Sequence, residues 1–450
     1  MNRILAGMMF ACLAFCPISV WSQPSQLPAA PLQASHRAEL IREVSENLRE
    51  VYVFEDVALE MIELINDKLE RGEYDQFDTV AALTDQLTAD LQSISHDLHL
   101  NVRAAKPPTR NAEGEGLSPQ EQAQRRLEGA RTQNFGFRRV EMLPGNIGYL
   151  ELSYFEDADI GGDTAVAAMN FLANSSAIIF DLRNNKGGTP SMIQLISSYL
   201  FDEPQHLNSF YVRRTDNIEQ FWTQARVQGP SMADIPVYIL TSGGTFSAAE
   251  EFTYNLKNME RATVVGETTG GGAHPVDMLM LDLGDDHYAR ISLPFGRAIN
   301  PITSTNWEGT GVTPNIETPT KQALAIAQFE ILKALSAAAT NEQSKFSYDW
   351  ARDELNFQLN PTELQLDGAA AYVGQYGPRK IVLQDGKLSY QRGGGQEMLL
   401  SPMGKADNFH VGDSDTFRIQ FEREANGDVT GLIGQYSSGR TDKNARNIEP

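Results

Sequence analysis

Apolar residues recur at helical spacing in the first hundred positions. Leu40, Ile41, Val44, Leu48 and Val51 form one stripe, and Met61, Leu64, Ile65 and Leu69 form another. Thr79 to Leu91 predicts a third helix, and Gly72 to Phe77 a connection. Lys106 to Gly129 is polar, with Pro107-Pro108, Gly114 and Gly116, which predicts a surface loop carrying a short helix. From Asn146 the pattern changes. Short apolar runs at Ile147–Leu152, Ala177–Leu182, Pro236–Thr241 and Ala262–Gly266 read as strands. They alternate with helix-like Thr164–Ala173, Ser191–Leu200 and Ala248–Lys257, and Lys321–Ala338 closes the series. That alternation predicts an α/β core. After a polar stretch from Asn341 to Asn360, short β-rich runs return, punctuated by Asp385-Gly386 and Asn426-Gly427. Such dipeptides between alternating runs are hairpin signals.

These patterns predict a signal peptide at 1–22, an N-terminal helical domain at 36–104 and a polar loop at 105–134. An α/β core at 135–338, a linker at 339–366 and a small all-β, lipocalin-like domain at 367–450 follow. Arg3, the apolar run Ile4 to Val20, and Ser22 fit secretion across the inner membrane, with the periplasm as the expected location. Cys16 follows Phe15, too bulky for a lipid-attachment site. No other stretch is apolar for long enough to span a bilayer in the mature chain.

Both cysteines, Cys12 and Cys16, lie in the segment expected to be removed, which excludes disulfides, cysteine nucleophiles and thiolate metal sites. With 37 Lys and Arg against 59 Asp and Glu, the net charge of −22 repels phosphate backbones and anionic lipid. Nucleic acid is therefore not an expected partner.

In Ile239-Leu240-Thr241-Ser242-Gly243-Gly244-Thr245-Phe246-Ser247-Ala248-Ala249-Glu250, a serine sits between a buried strand and a helix. The helix start offers free N–H groups beside the Ser247 hydroxyl, which suits a nucleophile and equally suits a plain N-cap. A serine nucleophile needs a base. Of seven histidines, His96 in Ser95-His96-Asp97 ends the helical region, and His274 after a Gly-rich loop is the second candidate. Asp181-Leu182-Arg183-Asn184-Asn185-Lys186-Gly187-Gly188 is a strand opening into a Gly turn. Backbone N–H groups of Gly187 or Gly188, with that of Ala248, make a candidate oxyanion hole. Neither phosphate-loop nor dinucleotide-binding glycine patterns occur.

Three motifs carry a resemblance: Asp181 to Gly188, Thr245-Phe246-Ser247-Ala248-Ala249-Glu250, and Val264 to Gly272. In order, they resemble the tail-specific (C-terminal-processing) serine peptidase family, whose fold is crotonase-like (ClpP-like). The run Leu293 to Ile316 is similar to the branch holding interphotoreceptor retinoid-binding protein and the catalytic part of tricorn protease. In the processing branch the base is a lysine at the position of Gly272, so a Ser-Lys dyad is unavailable here. The tricorn-like branch implies instead that His96 deprotonates Ser247, with Ser95 and Glu308 orienting and stabilising the imidazolium. No PDZ-like insertion is evident between Asn101 and Asn146.

The expectation is a secreted serine peptidase acting through an acyl-enzyme on a peptide or protein substrate. No metal and no cofactor is required, and an oligomer is compatible with the sequence. Two other readings stand beside it: a non-catalytic binding protein for apolar ligands on the same fold, and a small-molecule esterase or amidase.

Overall fold

A computed structural model describes residues 31–109, 116–365 and 367–447; the expected signal peptide at 1–22 lies outside them. Three amphipathic helices open the chain: α1 (Ala34–Val51), α2 (Glu55–Glu70) and α3 (Val80–Ser95). Their stripes meet in one core, with Leu40, Ile41, Val44, Leu48, Met61 and Ile65 fully buried. Each such side chain contributes on the order of 2 kcal/mol by leaving water. Thr79 starts α3 by accepting the Ala82 N–H at 3.2 Å, and His96 ends it in the left-handed region (φ 53°).

The chain continues through β1 (Asn101–Ala105) into α4 (Pro119–Thr132), a helix begun by a reciprocal Ser118–Glu121 cap. Next come β2 (Phe137–Leu143), β3 (Ile147–Leu152), α5 (Ala158–Leu172), β4 (Ala177–Asp181) and α6 (Pro190–Ser198). Then follow β5 (His206–Val212), β6 (Asn217–Trp222), β7 (Val237–Thr241), α7 (Ala248–Asn258) and β8 (Ala262–Gly266). The unit closes with β9 (Val276–Asp282), β10 (Tyr288–Pro294), β11 (Gly296–Ile299), β12 (Ile316–Glu317) and α8 (Ala323–Ala338).

The central sheet runs β12-β8-β7-β4-β3-β2, parallel except for the β2–β3 pair. Strands buried on both faces explain the continuous apolar runs. One face packs on α5, α6 and α7 through Phe180, Ile239 and Phe252, and the other on α8 through Ile179, Leu240 and Ile331. The result is a mixed α/β unit.

Two features depart from the sequence pattern. β1 pairs antiparallel with β10, so the β9–β10 hairpin contributes Leu281, Ile291 and Leu293 to the core of the helical front. The polar stretch read as a linker contains α9 (Glu342–Leu359), begun by Asn341 accepting the Ser344 N–H at 2.8 Å. Tyr348, Ala351 and Leu355 press its half-buried face on α8, and none of its residues is fully buried, which is why no apolar stripe announces it.

The C-terminal strands are β13 (Gly374–Tyr376), β14 (Arg379–Gln384), β15 (Lys387–Arg392), β16 (Met398–Pro402), β17 (Asn408–Val411), β18 (Phe417–Arg423), β19 (Val429–Tyr436) and β20 (Thr441–Ala445). They form an antiparallel meander in chain order. Tyr376 bridges to Arg446, and the Asn447 N–H donates to the Gln375 carbonyl at 2.7 Å, so the sheet nearly closes into a barrel. Among the described residues no helix is long and apolar enough to cross a membrane.

Candidate active site

Two loops at the carboxyl ends of parallel strands are stitched together. Past β4, the carbonyls of Leu182 and Arg183 accept the hydroxyls of Thr245 (2.9 Å) and Ser242 (2.6 Å), which follow β7. The Phe246 N–H donates to the Asn185 carbonyl at 3.1 Å. The turn then delivers Ser247 to the head of α7 at φ 56° and ψ −125°, a backbone conformation costly for a residue with a Cβ. Ser247 and Glu250 form a reciprocal cap at this helix start, but a capping residue ordinarily sits in the extended region, so capping does not explain the positive φ.

Glu250 holds this turn in place. Its buried carboxylate accepts the N–H groups of Ser247 (2.9 Å), Gly271 (2.7 Å) and Gly272 (2.8 Å), and the Thr269 hydroxyl (2.5 Å). Burial raises its pKa, with these four donors opposing. The serine turn and the loop after β8 are thereby one rigid piece.

Gly188 and Ala248 both line the cavity at Ser247, and neither N–H has an intramolecular partner among the described residues. The Gly187 N–H is occupied, donating to Asn185 Oδ1 at 2.8 Å. Gly187 serves by its small size, because a Cβ there would sit 2.7 Å from that of Ser247. Gly188 must also be glycine: at φ 142° its Cβ would meet the Phe155 carbonyl oxygen at 2.0 Å.

The cavity, about 490 Å³, is shared by Ser247 and His274. His274 is buried, and its Nδ1 lies 2.7 Å from Asp97 Oδ2 and 3.6 Å from Glu308 Oε2. Burial lowers its pKa, but the Asp97 hydrogen bond and the charges of Asp97 and Glu308 outweigh that and raise it overall. Asp97, 1% exposed, also accepts the His99 N–H at 2.9 Å and the Tyr52 hydroxyl at 3.4 Å. Glu308 accepts the Ala273 N–H at 2.5 Å, and burial pushes its carboxyl up to about 7. Its Oε1 is buried without a partner.

Asp97, His274 and Glu308 also place donor atoms within 4.8 Å of one another, the kind of set that could hold a cation. The 2.7 Å Asp97–His274 separation is that of a shared proton. Two ligands of a tetrahedral zinc stand roughly 3.3 Å apart.

The other residues singled out from the sequence fall as follows. His96 is exposed, and among the described residues no hydrogen bond or ion pair joins it to Ser247 or Glu308. Ser95 is half-buried, its Oγ accepting the Asp97 N–H at 3.3 Å. His99 is the imidazole of this segment that turns inward, 4.6 Å from the Phe246 ring, and burial lowers its pKa to about 4. A Cβ at Gly272 would lie 2.3 Å from Phe246 and 2.7 Å from His99, so no lysine fits there. Asp97, Glu250 and Tyr52 were not picked out from the sequence. Asp97 lay beside His96 and Glu250 inside the quoted serine turn, so adjacency was the available signal.

Parts of the chain are similar to known proteins. Residues 146–318 match peptidase family S41, and residues 33–130 match the N-terminal domain of peptidase S41 found in eukaryotic interphotoreceptor retinoid-binding protein. A carboxyl-terminal-processing protease of Synechocystis is 34% identical over 28% of this chain and 29% of its own. A probable CtpA-like serine protease of Staphylococcus haemolyticus is 24% identical over 49% of this chain and 43% of its own. The chain thus spans less than half the length of these curated relatives. The solved structure of mature CPAF superposes with a TM-score of 0.46 at 12% identity, covering 66% of this chain and 97% of that one. The chain thus carries a peptidase family S41 domain behind an N-terminal domain of the same family.

Proposed function

We propose that this chain is a serine peptidase in which Ser247 is the nucleophile and His274, rather than His96, is the general base. The observation that carries the reading is a strained serine sharing a cavity with an imidazole whose Nδ1 is held by a buried carboxylate. Asp97 fixes the tautomer with the proton on Nδ1, leaving Nε2 to take the Ser247 proton. Glu308, 3.6 Å from the same Nδ1, helps offset the imidazolium charge, and Ser95 steadies the Asp97 turn. The Gly188 and Ala248 N–H groups receive the developing oxyanion. His274 then protonates the leaving amine, and water hydrolyses the acyl-enzyme by the reverse steps. No metal or organic cofactor enters this scheme.

The same reading takes the mixed α/β unit as a crotonase-like core and the eight-strand meander as a lipocalin-like appendage. It takes residues 1–22 as a signal peptide that delivers the protein to the periplasm. Because one relative is named a carboxyl-terminal-processing protease and another a serine protease, a protein or peptide substrate is favoured over a small ester. The test is mass-spectrometric profiling of a peptide library with wild type and Ser247→Ala. Cleavages made only by wild type support the reading, and identical profiles end it.

A further inference from the structure

The cavity beside Ser247 carries a pattern the hydrolytic machinery does not use. Away from His274 its titratable lining is acidic: Asp157, Glu219 and Glu251, with no Lys or Arg among the described lining residues. Phe210, Phe221 and Trp307 supply apolar wall. Glu251 stands one helical step beyond the N–H of Ala248, 3% exposed, on the first turn of α7. The amides of Asn208 and Asn255 approach it, yet Asn208 Nδ2 and Asn255 Nδ2 keep no well-aligned partner. Among the described residues no cation pairs with it.

An unpaired carboxyl at that depth is costly unless a ligand completes it. We propose that this cavity receives the side chain of the residue whose carbonyl Ser247 attacks, and that Glu251 selects lysine or arginine there. The proposal rests on the serine peptidase reading. The aromatic wall covers the aliphatic stem, and the carboxylate meets the ammonium or guanidinium at its end. Burial holds the free carboxyl up at about 7, and an incoming cation supplies the missing counter-charge. Glu219 and Asp157 draw the cation toward the mouth.

The test uses paired peptides differing only in Lys or Leu before the scissile bond, with kcat/KM measured for wild type and Glu251→Gln. Wild type is expected to prefer lysine, and Glu251→Gln to lower the Lys:Leu ratio on the order of 100-fold. A misfolded variant loses both rates together, so the ratio isolates selection from folding. Binding of 4-aminobenzamidine to Ser247→Ala, with and without Glu251→Gln, reads the same pocket without turnover. Its affinity is expected to fall at least about 10-fold with the second change. Equal wild-type rates on the two peptides, or a ratio unchanged in Glu251→Gln, overturn the selection while leaving the peptidase reading intact. Glu251-dependent binding without any cleavage overturns the peptidase reading and keeps the cation pocket. Absence of both overturns both.

Discussion

Asp97 Oδ2 lies 2.7 Å from His274 Nδ1, joining residues 177 positions apart and tying the helical front to the α/β core. The pair is buried, with Tyr52 and Glu308 at its flanks. Asp97→Asn keeps the shape but permits the wrong imidazole tautomer. Its kcat should fall by roughly 10³–10⁴. His274→Ala should lose as much, whereas His96→Ala, changing an exposed helix cap, should stay within a few-fold of wild type. Steady-state kinetics on one cleaved peptide distinguishes the three.

The same pair sets a pH dependence. The His274 pKa is raised, and only neutral imidazole accepts a proton, so kcat/KM should fall as pH drops through a value above the ordinary 6.5. Asp97→Asn removes the main stabiliser of the imidazolium, so the acid limb of residual activity should move to lower pH. The stabilising effect on folding has the opposite reach. It is fully present below the unfolded pKa and is lost as pH rises through the folded one.

Glu251 predicts a conflict between stability and function. Its pKa is raised from 4.5 to about 7 by burial, so the folded state holds a proton that the unfolded chain releases earlier. Stability therefore declines as pH rises from about 4.5 to about 7, by roughly 3 kcal/mol for this group. Glu251→Gln should melt higher than wild type at pH 8 and lose that advantage at pH 4. Thermal melts at the two pH values check it.

Glu250 is expected to matter more for architecture than its position suggests. Glu250→Ala strands three N–H groups and a hydroxyl in a buried site, at a cost on the order of 3 kcal/mol or more. Both stability and activity should fall. Gly272→Lys should behave similarly, because its side chain meets Phe246 and His99, and no Ser-Lys activity should emerge.

Much of this was legible before any coordinates. The strands β3, β4, β7 and β8 are continuous apolar runs because both of their faces are covered, and the front helices show clean stripes because one face is. The serine turn was visible from Gly243, Gly244 and the helix that follows. The hairpin β9–β10 was not, since Met278 and Met280 face outward and blur its alternation (56% and 50% exposed). Nor was α9, which buries no residue fully. At the site, Ser247 was a candidate from its strand–turn–helix setting and Glu308 from the resemblance, with His96 favoured over His274 as base. Between His96 and His274, what favours His274 in the proposed reading is its contact with Asp97, 177 positions away in the chain and so invisible to local patterns. Gly187 and Gly188 were likewise inseparable until Asn185 was seen to occupy the first N–H.

The most direct measurement is peptide mapping of folded protein after exposure to a fluorophosphonate. The account predicts a single adduct on the Ser247 hydroxyl, absent in Ser247→Ala and formed far more slowly in His274→Ala. Folded wild type that acquires no adduct at Ser247, or one whose labelling is indifferent to His274, would contradict it.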